Sequence, residues 1–300
     1  MRRALALGAL VVVALVSGCK VEPKMGDTGG RGAGGEPPAY EEIARAWNER
    51  VDGLDRLWAR AVVRVEGNDA AGKRLSEQAE GHLQIVQPDD LALSLGKVGE
   101  TRLHLGSDGE RYWWLDSIDP DHAVALVGRH DKVTLEKAAA LGLPVHPLDL
   151  IELLGITPLP AKGRSVGWSK DGTEAVFNVP ARWGSRWVWV DPVTFEPRKI
   201  ALADEDFKVL AEADLEKYDI VRIDGDATRQ PEVATRVIVR TPAFDGWVRM
   251  TLYEPRNRSI SAKAFELGSL LKRYGIEEQI DVDDPAFWAG ARAGAGDVTP

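Results

Sequence analysis

From Tyr40 the apolar residues recur at steps of three and four: Tyr40, Ile43, Trp47, Val51, Leu54 and Trp58. Glu41, Glu42, Arg45, Glu49 and Arg50 take the positions between them. That spacing predicts one amphipathic helix with an aromatic stripe, packed on a sheet. The period then drops to two. Ala59, Ala61, Val63 and Val65 alternate with Arg60, Arg64 and Glu66, and Leu83 and Ile85 alternate with His82 and Gln84. Leu91, Leu93 and Leu95 follow, then Leu103 and Leu105 opposite Arg102 and His104. Turn residues bound each run, and Asp108-Gly109 between two of them is a hairpin signal. A strand from Glu110 to Asp116 follows.

Residues 119–160 break the alternation. Asp119-Pro120 reads as a helix cap followed by a first-turn proline. Ala123 to Val127 is an apolar run ended by Gly128, and Thr134 to Leu141 is a second helical stretch. Pro147 to Leu154 is a third, stopped by Gly155. The expectation is a helical insert inside a β protein. Alternation returns in runs at 164–169, 173–179, 186–191, 196–203, 207–223, 233–241, 246–254 and 257–265. About eleven strands in one antiparallel sheet are too many to stay flat, so the sheet is expected to curl. Trp113 and Trp114 are adjacent in a strand and must point to opposite faces. Trp187 and Trp189 share one face while Val188 and Val190 share the other, which marks a strand apolar on both sides.

The first residues follow no such pattern. Met1-Arg2-Arg3 is basic, Ala4 to Val16 carries no charge, and Val16-Ser17-Gly18-Cys19 closes the run. This reads as a secretory signal over 1–18, too short for a comfortable membrane span. Its end resembles the lipobox of bacterial lipoproteins. That resemblance implies cleavage before Cys19 and acylation of its sulfur and new amine. Lys20 after the cysteine points, by analogy with the common sorting rule, to the outer membrane facing the periplasm. Residues 19–38 are Gly/Pro-rich and read as a flexible linker. The main domain is expected over 39–284, and a loosely ordered tail over 285–300.

Composition sharpens this picture. The chain has 300 residues, 44% hydrophobic and 28% charged, which supports a packed core and excludes global disorder. Thirty-eight basic side chains against 47 acidic ones give a net charge of −9. That argues against nucleic acid as a partner, because phosphate binding needs a basic footprint. Loss of Arg2 and Arg3 with the signal would take the 282-residue mature chain to −11, so attachment would be covalent and not electrostatic. The single cysteine excludes an intramolecular disulfide framework and a cysteine-cluster zinc site. Ten tryptophans against six phenylalanines indicate amphipathic aromatic surface.

A lipobox, an N-terminal amphipathic helix, a long antiparallel meander and an apolar helical insert, in that order, resemble the LolA/LolB-type lipoprotein-carrier fold. The resemblance covers about residues 40–265. It implies a mainly β domain whose curled sheet forms an incomplete barrel, with a helical lid and a cavity for acyl chains such as palmitate. On that reading Leu148, Leu150, Ile151, Leu153 and Leu154 fill the mouth as a lid, and Trp113 and Trp189 are candidate cavity-wall residues. Carrier members latch the lid with an arginine inside the barrel, and Arg60, Arg64 and Arg102 are candidates by their place in early strands. Receptor members carry an exposed leucine on a protruding loop. The matching Gly96-Lys97-Val98-Gly99 is short and offers only a valine. The expected function is therefore lipid or acyl-chain binding without catalysis or cofactor, held to the membrane by Cys19, with a second envelope protein as a further partner. The alternative is a structural or interaction lipoprotein with a self-filled barrel.

Enzyme motifs fail their context. Gly163-Arg164-Ser165-Val166-Gly167 matches G-x-S-x-G, but a nucleophile elbow needs a strand before it and a helix after it. Gly30 to Gly35 matches G-x-G-x-x-G with no strand ahead of it. The five histidines lack metal-ligand spacing, and His82 and His104 read as a solvated pair across the sheet.

Overall fold

The computed structural model describes residues 35–287, except 69–71, 98–99, 135–145, 164, 227 and 243. The expected signal, Cys19, most of the linker, nearly all of the Thr134–Leu141 stretch and residues 288–300 lie outside the described residues. Helix α1 (Tyr40–Arg50) leads into β1 (Arg56–Asn68), β2 (Arg74–Val86), β3 (Asp90–Lys97), β4 (Glu100–Ser107), β5 (Arg111–Asp116) and β6 (Val124–Arg129). Helix α2 (Pro147–Leu153) follows. Then come β7 (Gly167–Trp168), β8 (Ala175–Ala181), β9 (Gly184–Val190), β10 (Pro197–Asp204), β11 (Val209–Ile220), β12 (Arg222–Ile223), β13 (Glu232–Thr241) and β14 (Phe244–Asn257). Helix α3 (Leu267–Tyr274) and β15 (Glu278–Asp281) close the described chain.

All strands join one open, curled sheet in the order β15-β6-β5-β4-β3-β2-β1-β14-β13-β11-β10-β9-β8-β7, with β12 pairing off this path on β14. Neighbours are antiparallel except β15 on β6 and β12 on β14. The alternation read from sequence sets the two faces. In β1, Leu57, Ala59, Ala61 and Val63 are buried on the inner face, while Trp58, Arg60 and Arg64 face outward. The register continues the inner face across to β14, where Ala61 lies opposite Leu252 and Val63 opposite Met250. Gly81 in β2 lies so close to β3 that an added Cβ would fall 1.8 Å from the Ser94 carbonyl oxygen, so only glycine fits.

The inner face holds the main core. Tyr40, Ile43 and Trp47 of α1 and Leu148, Leu150, Ile151 and Leu153 of α2 pack into it with the strand residues. Tyr40 and Trp47 of the expected aromatic stripe thus pack on the sheet, whereas the helix ends at Arg50 and Trp58 lies outward in β1. The outer face is covered at one end by α3, where Leu267, Leu270 and Ile276 pack on Trp113, Leu115 and Ala125.

Three expectations are corrected. The sheet has fifteen strands, not about eleven, because several are only two to six residues long. The 119–160 insert is not uniformly helical. Asp119 caps a single 3-10 turn at Pro120–His122, and the apolar run after it forms β6. A five-residue apolar run has no period that separates helix from buried strand, and here pairing with β5 decides it. The 257–265 run is no strand beyond the end of β14. It contains a 3-10 turn at Ala262–Ala264 and leads into α3, whose Leu267, Leu270 and Leu271 carry helical spacing and which ends at Gly275 with φ 64.

Candidate functional site

The site is built where α2 lies in the trough of the inner face. The sequence places proline at the first position of α2, after His146, whose Nδ1 accepts the Leu148 N–H at 3.2 Å. Five apolar side chains, Leu148, Leu150, Ile151, Leu153 and Leu154, are 0–8% exposed there. The structure therefore brings together every lid residue expected from sequence. Behind α2, residues 156–160 run as a strap stitched to α1. Tyr40 donates its hydroxyl to Pro160 O at 2.8 Å, and Trp47 donates its indole N–H to Thr157 O at 3.0 Å. Asn48 donates to Leu159 O and accepts from Leu159 N.

Alongside its leucines, α2 carries charge into the trough. Asp149 is buried and accepts the indole N–H of Trp183 at 2.9 and 3.0 Å. Burial pushes its pKa up to about 7, against the pull of Trp183, and nearby Glu152 adds to the rise. Glu152 is also raised by burial, partly offset by Arg186 and Arg182. One of its oxygens is buried without a hydrogen-bond partner. His146 is held well below its ordinary value by burial, Arg182 and His130, so it is neutral at pH 7. Its ring packs edge-on against Tyr112 at 4.7 Å and His130 at 5.4 Å. His130 Nε2 lies 2.8 Å from the Asp108 carbonyl, which places its proton on that nitrogen.

The inner-face arginine is Arg186 of β9. It pairs with Val179 and Leu202, both core residues, so its side chain shares their face. It is 4% exposed, its Nε is buried without a hydrogen-bond partner, and its guanidinium forms no ion pair among the described residues. Burial pushes its pKa down, while Glu152 and Tyr40 pull it up. None of Arg60, Arg64 and Arg102 takes this place. Arg60 lies over the outward ring of Tyr253 at 5.9 Å, and Arg64 pairs with Glu66 on the same outer face. Arg102 shares the face of His104, outside the trough, and donates to Ile118 O at 3.2 Å. The sequence held a signal for Arg186: it stands in register with Val188 and Val190 in a strand apolar on both sides.

Trp113 and Trp189 lie on the other face of the sheet from α2. Trp113 is fully buried beneath α3. Trp189 packs with Trp187, Val176 and Ala201, with the Lys199 amine 5.5 Å from its ring centre. The structure thus separates these two tryptophans from the five lid residues. His82 and His104 do not form a solvated pair. They flank Ser94, whose hydroxyl lies 2.9 Å from His104 Nδ1, and His104 is buried against Tyr274. Burial and Arg273 lower the pKa of His104 to about 4. The G-x-S-x-G segment runs directly into β7, with no helix after Ser165. Among the described residues no group of His, Cys, Asp and Glu is arranged to hold a metal ion.

No family model matches the sequence, and no curated protein matches it significantly. Solved structures do. An outer membrane lipoprotein-sorting protein domain from Vibrio parahaemolyticus is similar with a TM-score of 0.52 and 13% identity, over 78% of this chain and 98% of that one. The fold is LolA-like. A DUF1329 family protein from Desulfovibrio piger is similar with a TM-score of 0.50 and 13% identity, over 77% of this chain and 97% of that one. At such identity the LolA-like comparison speaks for the fold, and function rests on the site.

Proposed function

We propose that this chain is a lipid-anchored bacterial envelope protein that binds lipid or lipoprotein acyl chains in the trough of its LolA-like sheet. In this account it performs no catalysis, and α2 is a plug that the acyl chain replaces. The observation that carries this reading is the character of α2. With Leu154 at its end it fills the trough with five apolar side chains, yet it also buries Asp149 and Glu152. Buried carboxylates oppose docking, so the hold on α2 is weakened where a permanent core element would be apolar. An acyl chain brings the same apolar surface without that cost. Its sixteen carbons contribute on the order of 12 kcal/mol of gross burial at about 0.8 kcal/mol per methylene, much of it offset by displacing α2. The strap stitched to α1 would keep the displaced helix tethered.

The likeness to a lipoprotein-sorting domain and the lipobox at Cys19 support an outer-membrane setting facing the periplasm. Purified Cys19→Ala chain, kept free of detergent, is expected to carry lipid in native mass spectrometry and to release a fluorescent fatty-acid probe on adding palmitate. Absence of both would overturn the carrier reading in favour of a self-filled interaction protein. The same substitution is expected to move the protein from the membrane to the soluble fraction, and persistent membrane association would refute the acyl anchor.

A further inference from the structure

Among the described residues, Arg186 is a cation buried in the trough without an ion pair, its Nε lacking any hydrogen-bond partner. An isolated buried charge is costly, and a facing anion is what relieves it. In the plugged state the nearby acid is Glu152, the residue of α2 whose charge acts on Arg186 and whose Oε2 is itself unpartnered. Tyr40 of α1 is the other ionisable group felt at Arg186, and its hydroxyl is committed to Pro160 O. Of the two further charges around the seat, Arg182 lowers the pKa of both Glu152 and Asp149, and Asp149 is itself raised by Glu152. So α2 offers the trough two things together: an apolar row and one carboxylate near Arg186.

A ligand that replaces α2 removes both. A neutral lipid would restore only the apolar row and leave Arg186 buried alone. We propose that Arg186 is the headgroup site of the trough, and that the ligand is a single-chain amphiphile with an anionic head, a carboxylate or a phosphate, which takes the place of Glu152. This rests on acyl-chain binding in the trough and adds the chemistry of the head. A planar guanidinium suits either anion, because it presents paired donors to two oxygens.

The test compares palmitate, its methyl ester and hexadecyl phosphate as competitors for a neutral fluorescent acyl probe on the Cys19→Ala chain. Palmitate is expected to bind roughly tenfold to a hundredfold tighter than the ester, the range a charge-assisted hydrogen bond carries. Arg186→Met is near in length and neutral. It should abolish the preference, so that palmitate and ester bind alike and the ester binds no more weakly than before, while Arg186→Lys should keep part of the preference. Hexadecyl phosphate matching palmitate assigns the site to anionic heads in general, and palmitate alone being preferred assigns it to carboxylates. Equal binding of palmitate and ester by the unsubstituted trough, or a palmitate-over-ester preference unmoved by Arg186→Met, overturns the headgroup site and leaves acyl-chain binding standing. Failure of every ligand to displace the probe overturns both.

Discussion

Asp149 is an acid in an apolar seat, and the sign of its effect follows from linkage. Burial lifts its pKa from the ordinary 3.8 to about 7 in the fold. The folded state holds the proton more tightly, so its contribution is fully present below about pH 4 and is lost as pH rises to about 7. That difference is on the order of 4 kcal/mol. His146 works in the opposite sense. Its folded pKa is depressed, so its contribution is present above its ordinary 6.5 and lost as pH falls. Asp149→Asn keeps an oxygen for the Trp183 N–H and removes the charge. We expect it to be more stable than the parent at pH 8 by up to about that amount in urea unfolding. Between pH 4 and 6.5 its stability should rise more steeply with pH than the parent's, with His146 no longer opposed by Asp149. Equal stability at pH 8 would contradict the buried-acid account. These residues show why the site was only half legible. The five apolar positions of α2 announce themselves by helical spacing. The burial of Asp149 does not, because an acid within an apolar stretch looks like the solvated side of a helix until α2 is placed in the trough.

At the scale of elements, α1 and α2 fill the same face but are held differently. Tyr40, Trp47 and Asn48 tie α1 to the strap, whereas Asp149 with Trp183 is the side-chain hydrogen bond that joins α2 to the sheet among the described residues. Plug and ligand then compete for one trough, and weakening the plug strengthens the ligand. Leu153 is fully buried, so Leu153→Ala should lower stability by about 2–5 kcal/mol. It should also tighten fatty-acid probe binding several-fold. Lower stability with unchanged or weaker probe affinity would mean that α2 is ordinary core. The periodicity of α1 and the alternation of β1 were plain in the sequence. The nature of β6 and the existence of α3 were not. β6 is short and apolar, and its identity comes from pairing with β5 on one side and β15 on the other. α3 is eight residues long, and its apolar stripe has meaning only over Trp113 and Leu115.

For the molecule as a whole, curling lets one sheet act as its own container. The inner face is enclosed by α1 and α2, and the outer face carries charged rows such as Lys199 with Glu212 and Arg240 with Asp214. These partly exposed pairs contribute little to stability and serve mainly to keep that face wet. The sheet's ends are β7, of two residues, and β15, of four, so little unpaired edge is offered to another strand. Curl was legible from the number of runs, because an antiparallel sheet of that size does not stay flat. Which residues line the trough depends on register between strands far apart in sequence, and that is why the inner arginine is Arg186 and not one of the early-strand candidates.

The central claim is that an acyl chain and α2 exchange for one trough. Hydrogen exchange of the Cys19→Ala chain, with and without saturating palmitate, reads this directly. The account predicts that amides of residues 147–153 exchange at least about tenfold faster with palmitate bound, while those of α1 keep their protection. Palmitate bound with α2 equally or better protected would contradict it.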